Sequence, residues 1–285
     1  MNVVKTAKKR RILVTGANGY IGQGVIKALK EYSVDIVAVD LKFDEVISGI
    51  EQLEGNIFDQ NFVSSLGQVD TLLHLAWRDG FQHFSEAHIL DVPNHFCFIK
   101  QLLESGVDQV CCLGSMHEIG FYEGCIDENT PTNPISYYGI GKNALRQLVS
   151  LLTEENRAVF QWIRGFYIVG NTHKGCSVFS KITEAEIKGE NLFPFTTGMN
   201  QFDFIDYDIF CRQVAATVMQ QRVNGIINCC SGCPERLKDR VERFIKENGY
   251  GIKLEYGRFL DRPYDSKAVW GSTKKIDEIM RNSNG

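Results

Sequence analysis

The amino-acid sequence predicts an α/β protein: a doubly wound parallel sheet, followed by a smaller and less regular lobe toward the C-terminal end. Two observations predict this fold. The first is that short apolar runs, at 12–15, 34–39, 71–75, 108–113 and 158–163, alternate with helical patterns, among them 20–31, 87–104 and 137–155. Such alternation is typical of βαβ units, whose helices cover both faces of a parallel sheet. The second is that this alternation weakens after about residue 165, where short mixed segments surround a cluster of aromatic residues at Phe193, Phe195, Phe202 and Phe204.

The composition excludes several classes of protein and partner. The chain has 285 residues and a formal net charge of -4, so it has no excess of basic charge to neutralise nucleic-acid phosphates. No apolar stretch approaches the roughly 18–20 residues that cross a bilayer, and no apolar segment of a signal peptide follows the basic start. Nine cysteines, an odd number, do not suggest a disulfide framework. We therefore expect a cytoplasmic protein that binds neither nucleic acid nor membranes.

The first predicted strand leads into a glycine-rich turn with GxxGxxG spacing, at Gly16, Gly19 and Gly22. Gly16 permits the sharp turn, Gly19 lets the backbone approach a pyrophosphate, and Gly22 lets the following helix pack closely on the sheet. The N-terminus of that helix then faces the anion with free N–H groups and the positive end of its dipole. This pattern predicts a dinucleotide-binding Rossmann domain.

The second predicted strand ends in Asp40. A carboxylate in this position accepts hydrogen bonds from both hydroxyls of the adenosine ribose and repels a 2′-phosphate. We therefore expect NAD(H) to be the preferred cofactor, while Lys42 close by leaves NADP(H) possible.

The middle of the chain carries a candidate acid–base group. Tyr138 and Lys142 are four residues apart at the start of a predicted helix, so their side chains point the same way. A nearby ammonium stabilises a phenolate and lowers the tyrosine pKa from its usual value of about 10. Ser115 follows an apolar run at the end of a predicted strand, where its hydroxyl can orient a substrate carbonyl.

Several segments, in the same order along the chain, are similar to motifs of a known family. TGANGYIG, the HLAW segment at 74–77, Ser115 and the Tyr138–Lys142 pair resemble the extended short-chain dehydrogenase/reductases, the NAD-dependent epimerase/dehydratase family of nucleotide-sugar enzymes. Segment 201–215 is similar to the RDFVYVDDVA motif of this family. Further on, INCCSG resembles its FNVGSG motif and RPYDS its RPGD motif. The resemblance covers nearly the whole chain.

The resemblance implies a division of the chain and an oligomeric state. Residues 1–165 are expected to form the NAD(P)-binding Rossmann domain, to which 205–228 return. Residues 166–204 and 229–285 are expected to form a lobe that binds the nucleotide sugar. The family also implies a homodimer, formed through the helix that carries Tyr138–Thr153 and the one preceding it.

The resemblance also implies roles for individual residues. Tyr138 exchanges a proton with the sugar oxygen, Ser115 hydrogen-bonds the same oxygen, and Lys142 lowers the tyrosine pKa and binds the nicotinamide ribose. Besides Tyr138 and Lys142, the residues implied in cofactor binding are Gly16, Asn18, Gly19, Tyr20, Ile21, Gly22, Asp40, Asn56, Ile57, Leu75 and Ala76. Asn56 departs from the family, which has Asp in this position.

Further departures concern the substrate site. The 4,6-dehydratases of the family have an Asp-Glu pair after the catalytic Ser or Thr, where this chain has Met116 and His117. Since methionine cannot donate a proton, dehydration is disfavoured. His117 is expected in the sugar pocket, as an acid or base together with His173, or as a hydrogen-bonding group. Alternatively, His117 and Glu118 merely orient the substrate or pair with each other.

Two positions that contact the sugar diphosphate in the family are altered. The Asn of its RxxN motif is replaced by Tyr167, and the Arg of its RDF motif by Phe202. Arg262 is then the best remaining residue to bind the diphosphate, because a guanidinium binds phosphate bidentately. The CxxC at 230–233 has no second pair with which to form a zinc site, so we expect no metal.

These features favour reduction of a nucleotide-activated 4-keto-6-deoxyhexose, dTDP- or GDP-linked, by NAD(P)H. One alternative is a nucleotide-sugar 4-epimerase with tightly bound NAD, or a bifunctional epimerase/reductase that uses His117. A more remote alternative is a non-catalytic NAD(P)-sensing regulator.

Overall fold

The computed structural model describes residues 9–170, 177–260 and 266–283. The strands of these residues are β1 (Arg10–Thr15), β2 (Val34–Asp40), β3 (Glu51–Glu54), β4 (Thr71–His74), β5 (Gln109–Ser115), β6 (Gly124–Ile126), β7 (Val159–Gly165), β8 (Tyr167–Val169), β9 (Leu192–Pro194), β10 (Gln201–Asp206), β11 (Gly225–Cys229), β12 (Pro234–Arg236), β13 (Lys253–Glu255) and β14 (Ala268–Gly271). The helices are α1 (Tyr20–Leu29), α2 (Gln60–Ser65), α3 (Ala87–Leu90), α4 (Val92–Glu104), α5 (Tyr137–Glu155), α6 (Val178–Ile187), α7 (Tyr207–Val218), α8 (Leu237–Glu247) and α9 (Lys274–Ser283). No helix in these described ranges is long and apolar enough to cross a membrane.

The main sheet has seven strands in the order β11-β7-β5-β4-β1-β2-β3. All of its neighbouring strands pair in parallel. The chain winds outward from β1 in both directions, so the strand order reverses between β1 and β4. In such sheets, ligands bind at the carboxyl ends of the strands near this reversal. The doubly wound α/β fold predicted from the sequence is confirmed.

Helices bury an apolar core on each face of the main sheet. Ile12 and Val14 of β1 pack into a core with α1 and α7, whereas Leu13 between them packs on the other face with α4 and α5. Because both faces of β1 are covered, the strand is a continuous apolar run rather than an alternating one.

The remaining strands form two smaller sheets. Strands β12, β10, β14 and β6 are neighbours in a five-stranded sheet that β8 joins through β10, while β13 pairs with β9. The aromatic cluster noted in the sequence contributes Phe195 and Phe204 to a core that also contains Phe179 and Phe244, on α6 and α8. Strand β10 thus belongs to the smaller sheet, whereas β11 completes the main one.

Two elements differ from the sequence-based expectation. The single helix expected over 87–104 is divided into α3 and α4, because Pro93 has no N–H to donate and lies in the first turn of a new helix. Strand β3 was not predicted, since its sequence EQLE is polar and charged as suits the exposed edge of a sheet.

Candidate active site

The glycine-rich turn has the geometry that a pyrophosphate requires. Gly16 has a φ of +69°, and a Cβ added to it would lie 2.7 Å from the backbone nitrogen of Ala76. A Cβ on Gly22 would overlap the carbonyl oxygen of Gly16. Gly19, by contrast, is exposed, and no side chain caps the N-terminus of α1 that follows it. The first N–H groups of α1 are therefore available to an anion.

Asp40 lies at the rim of this turn, at the end of β2. Its Oδ2 accepts a hydrogen bond from the Asn18 backbone nitrogen at 2.9 Å, and its Oδ1 accepts one from the Leu41 nitrogen at 2.8 Å. Lys42 is exposed two positions further on. The carboxylate is thus next to the place where the adenosine ribose of a dinucleotide would lie.

Two residues of the first turn of α1 face the protein. The ring of Tyr20 stacks on that of Tyr207 in α7 with 4.2 Å between centroids, and the Tyr207 hydroxyl donates to the Tyr20 carbonyl. Ile21 packs against the core formed by α1 and α7. Because their side chains anchor α1, it is the backbone N–H groups of these two residues that face the proposed cofactor site.

The remaining predicted cofactor residues follow β3 and β4. Asn56 is exposed, and its Oδ1 accepts from the Phe58 nitrogen at 3.0 Å, whereas Ile57 packs against the core beneath α4. Leu75 is buried, and the Ala76 nitrogen donates to Thr15 Oγ1 at 3.4 Å. The ends of β1, β2, β3 and β4 thus form one continuous edge that fits an extended dinucleotide.

The three predicted catalytic residues meet beside this edge. Ser115 is the last residue of β5, while Tyr138 and Lys142 lie in the first two turns of α5. Burial raises the pKa of Tyr138 to about 12, although a hydrogen bond between its side chain and Ser115 opposes the rise. The sequence led us to expect a lowered tyrosine pKa beside Lys142, but burial dominates in this structure. Tyr138 is therefore protonated at neutral pH and can act as an acid.

Lys142 is held by two contacts. Its Nζ donates to the Leu113 carbonyl oxygen at 2.7 Å and lies 3.9 Å from the centroid of the Trp77 ring. Burial lowers the pKa of Lys142 to about 8. A cation over an aromatic face is attracted by the ring quadrupole, so Trp77 favours the charged form that burial disfavours.

Two glycines beside Tyr138 were not singled out from the sequence. A Cβ on Gly139 would overlap the carbonyl oxygen of His117, and a Cβ on Gly141 would overlap that of His88. The N-terminus of α5 therefore approaches both neighbouring segments more closely than a larger residue allows. The available signal was their spacing, since the two glycines lie between Tyr138 and Lys142 with one residue separating them.

Histidines surround the tyrosine ring. The imidazole of His83 stacks on Tyr138 with 5.2 Å between centroids and an interplanar angle of 10°. The ring centroid of His117 lies 4.6 Å from that of His83 and 6.0 Å from that of Tyr138. Burial lowers the pKa of His83, and it lowers that of His117 to about 4. Both imidazoles are therefore neutral at pH 7, and each offers one donor and one acceptor.

A second group of histidines lies behind Trp77. Its Nε1 donates to His88 Nδ1 at 2.9 Å, and its ring stacks on His95 at 4.8 Å. His95 Nδ1 is 2.9 Å from His74 Nε2, and His74 Nδ1 is 2.8 Å from Thr15 Oγ1. This chain of contacts connects the glycine-rich turn to the ring that holds Lys142. Neither His83 nor this group was singled out from the sequence, because these residues are distributed over three separate segments.

The alternative pairing of His117 with Glu118 is wrong. Glu118 is fully buried and accepts hydrogen bonds from the Ser115 nitrogen at 2.7 Å and from Trp162 Nε1 at 2.9 Å. His117 contacts His83 instead. The two neighbours thus lie on opposite sides of the turn that follows β5.

Of the other predicted substrate residues, Tyr167 lies in β8. Its ring centroid is 4.7 Å from that of Phe202. It also packs against the small core that includes Met116. Arg262 and His173 lie outside the described residues. Within the described ranges, no group of three or more His, Cys, Asp or Glu residues could hold a metal ion.

The fold and the site define a class of protein. A Rossmann sheet with a dinucleotide-binding edge, next to a serine, a tyrosine and a lysine, is the arrangement of an NAD(P)-dependent oxidoreductase that acts on CH–OH groups. The chain belongs to the NAD dependent epimerase/dehydratase family, whose sequence profile matches residues 12–242.

Known proteins agree with this assignment. The chain is 38% identical over 273 residues to a dTDP-6-deoxy-L-talose 4-dehydrogenase (NAD(+)) of Aggregatibacter actinomycetemcomitans, an alignment that covers 92% of this chain and 99% of the relative.

Solved structures show the same fold at lower identity. A UDP-N-acetylglucosamine 4-epimerase from Methanobrevibacter ruminantium M1 has a TM-score of 0.82 at 18% identity, over 96% of this chain and 92% of its own. A UDP-glucuronic acid 4-epimerase from Bacillus cereus, in complex with UDP-glucuronic acid and NAD, has a TM-score of 0.79 at 20% identity. The superposition covers 95% of this chain and 93% of the epimerase.

Proposed function

We propose that this protein is an NAD(H)-dependent oxidoreductase acting at C4 of a dTDP-linked 6-deoxyhexose, and that it reduces the 4-keto sugar in the biosynthetic direction. The observation that carries this proposal is the set of groups around Ser115. Tyr138 hydrogen-bonds Ser115 and can donate a proton, whereas the next residue, Met116, is buried and has no proton to give. The site therefore supports ketone reduction and lacks the acid of a dehydratase. The nucleotide is proposed from the relative that is 38% identical.

The residues divide the work of the reduction. When bound at the glycine-rich turn, the nicotinamide cofactor would supply the hydride for the carbonyl carbon. Tyr138 donates its hydroxyl proton to the oxygen that becomes the alcohol. Ser115 donates a hydrogen bond to the same oxygen and thereby orients the carbonyl group. Lys142 stabilises the phenolate form of Tyr138 that remains after this proton transfer, and it also binds the nicotinamide ribose.

We further propose that the sugar lies against His83 and His117. These neutral imidazoles flank Tyr138 and can each exchange a hydrogen bond with a sugar hydroxyl. The lobe of 166–204 and 229–285 is proposed to bind the nucleotide, with Tyr167 on its inner side and Arg262 at the diphosphate.

NAD(H) is the proposed cofactor, with NADP(H) disfavoured. The Asp40 carboxylate lies at the rim of the glycine-rich turn, so it would meet a 2′-phosphate with like charge. The cytoplasm is the proposed location, consistent with the free thiols of the eight cysteines that lie in the described ranges.

A substrate screen tests the proposal. NADH and NADPH oxidation would be followed against dTDP-, GDP- and UDP-4-keto-6-deoxy sugars, and the product identified by NMR. We expect one NADH to be consumed for each dTDP-sugar reduced. No nicotinamide oxidation with any of these sugars would overturn the proposal.

A second candidate is a nucleotide-sugar 4-epimerase, since the Ser115, Tyr138 and Lys142 arrangement serves that reaction as well. An epimerase returns the hydride to the same carbon, so it turns over without net consumption of NADH. Interconversion of two nucleotide sugars at constant NADH absorbance would favour this candidate.

A further inference from the structure

Glu118 is a buried carboxylate that the proposed chemistry does not use. It is the last residue of the short 3-10 turn Met116–Glu118, which directly follows β5. Its Oε1 accepts the Ser115 backbone N–H at 2.7 Å, while Ser115 Oγ accepts the His117 N–H at 3.2 Å. The side chains of Ser115 and Glu118 also form a reciprocal capping box, each accepting from the backbone of the other, which fixes the backbone and the hydroxyl of Ser115 together.

The same carboxylate connects Ser115 to two other elements. On β7, Trp162 Nε1 donates to its two oxygens at 2.9 and 3.0 Å, and Arg164 Nη2 lies 3.8 Å from Oε2. On α5, Arg146 Nε lies 3.6 Å from Oε2, four residues after Lys142. Glu118 therefore ties the strand end that carries Ser115 to the helix that carries Tyr138 and Lys142.

The carboxylate is closely packed against the backbone of Gly114. A Cβ added to Gly114 would lie 2.6 Å from Glu118 Oε1. Arg164 is fully buried and donates through Nη1 to the Asp127 carbonyl oxygen at 3.1 Å. Because a buried guanidinium needs a counter-charge, Arg164 favours the ionised form of Glu118.

We propose that Glu118 is a positioning residue of the active site: it holds Ser115 in register with Tyr138 and Lys142, and its buried negative charge sets the pH range in which those two groups work. This inference rests on the proposed function only for the identity of the substrate.

The charge acts on both catalytic groups of α5. Burial raises the pKa of Glu118 itself, while Arg164 and the N–H groups of Ser115 and Trp162 oppose that rise. The Glu118 carboxylate in turn raises the pKa of Tyr138 and opposes the lowering of the pKa of Lys142 by burial. The charged or titratable groups that bear on this cluster are Arg146, Tyr138 and Lys142 on α5, Cys112 on β5, Arg164 on β7, and Asp127 and Glu128 through Arg164.

Two substitutions separate position from charge. Glu118→Gln keeps an oxygen for the Ser115 N–H but removes the charge. Glu118→Asp keeps the charge but is one methylene shorter, so it no longer reaches that N–H. Sugar oxidation by NAD+ would be measured from pH 6 to 10, after circular dichroism has shown that each variant is folded.

In this direction the active form has Tyr138 deprotonated and Lys142 protonated. Because the pKa of Tyr138 is about 12 and that of Lys142 about 8, activity rises with pH and levels off near the pKa of Lys142, and the second break lies above the measured range. For Glu118→Gln we expect the break near pH 8 to move to lower pH, because the pKa of Lys142 falls when the negative charge is removed. For Glu118→Asp we expect the break to stay in place while kcat falls by about 10- to 100-fold, as for other small misplacements of a catalytic group. A break that stays in place in Glu118→Gln would overturn the proposal, as would an unchanged kcat in Glu118→Asp.

Two further measurements keep the test decisive. If Glu118→Gln does not fold, the double variant Glu118→Gln/Arg164→Met removes both buried charges, and a shift of the break in the same direction is expected. The pKa of Lys142 can also be read without activity, from the pH titration of its 13Cε resonance, assigned with Lys142→Arg. If the unmodified protein oxidises none of the sugars but Glu118→Gln lowers the pKa of Lys142, this inference is sustained and the proposed function is rejected. If the unmodified protein is active but Glu118→Gln leaves the pKa of Lys142 unchanged, the proposed function is sustained and this inference is rejected.

Discussion

At the scale of single residues, Tyr138 is hydrogen-bonded to the Ser115 side chain, and its high pKa keeps it protonated at neutral pH. Tyr138→Phe removes that proton and leaves the ring to pack against His83. We expect kcat to fall by about 10²–10⁴-fold, the usual contribution of general acid–base catalysis. NADH affinity, measured by fluorescence titration, should barely change, because the glycine-rich turn and Asp40 are untouched. Turnover above about half of that of the unmodified enzyme would contradict the assignment and make His117 the next candidate.

Lys142 should show a conflict between stability and activity. Lowering its pKa from 10.5 to about 8 corresponds to a destabilisation of roughly 3 kcal/mol while the ammonium is buried and charged. Lys142→Met should therefore raise the free energy of unfolding at pH 7 by about 1–2 kcal/mol, since the contacts with Trp77 and Leu113 are lost as well. NAD(H) affinity and kcat should both fall.

The pH dependence of that gain follows from the sign of the pKa shift. Between about pH 8 and 10.5 the unfolded chain holds the lysine proton and the folded protein does not, so the unmodified protein gains stability as the pH rises. The advantage of Lys142→Met should be full below pH 8 and vanish toward pH 10.5, as measured by urea unfolding. A constant difference across this range would contradict the assigned pKa.

Asp40 should control cofactor choice. The double variant Asp40→Ala/Leu41→Arg removes the carboxylate at the rim of the glycine-rich turn and adds a guanidinium for a 2′-phosphate. We expect the ratio of kcat/KM for NADH to that for NADPH to be above one in the unmodified enzyme and to weaken or reverse in the variant. Leu41→Arg alone serves as the control, and equal kcat/KM values for the two cofactors in the unmodified enzyme would refute the preference.

At the scale of elements, the N-terminus of α5 depends on close approach. Gly139 leaves no room for a Cβ beside the His117 carbonyl oxygen, so Gly139→Ala should move α5 away from the turn that carries His117. We expect a loss of kcat of at least about tenfold and a destabilisation of about 1–3 kcal/mol, typical of overpacking. Gly80→Ala is a matched control, because a Cβ added to Gly80 would meet no atom within 4 Å. Equal effects of the two substitutions would show that the close contact is unimportant.

At the scale of the whole molecule, apolar side chains on α3 and α5 remain exposed, among them Leu90, Ile140 and Leu151. We predict a homodimer formed through α5 and the preceding 87–104 segment, since homodimer interfaces are rich in such residues. Leu151→Glu should shift light scattering at micromolar concentration from dimer toward monomer. Val46→Glu, in the exposed loop between β2 and β3, should leave the mass unchanged. A monomeric unmodified protein would contradict the prediction.

The sequence by itself determined the local parts of this protein. The glycine-rich turn, Asp40 and the Tyr138–Lys142 spacing could be predicted because each depends on residues close together in the chain, whose geometry follows from backbone freedom and helical periodicity. The alternation of strands and helices was predictable for the same reason. The edge strand β3 was not, because sheet pairing and solvent exposure decide it. The break before Pro93 was missed although proline in the first turn is a local signal of a helix start.

Only the tertiary structure decided what surrounds those parts. Packing α5 against the end of β5 brings His83 onto Tyr138, Trp77 under Lys142 and Glu118 beneath Ser115, although these pairs are distant in sequence or separated by a turn. Burial then raises the pKa of Tyr138, against the direction expected from Lys142 alone. Electrostatic shifts depend on depth and on neighbours from several elements, and neither can be read from a single stretch of chain.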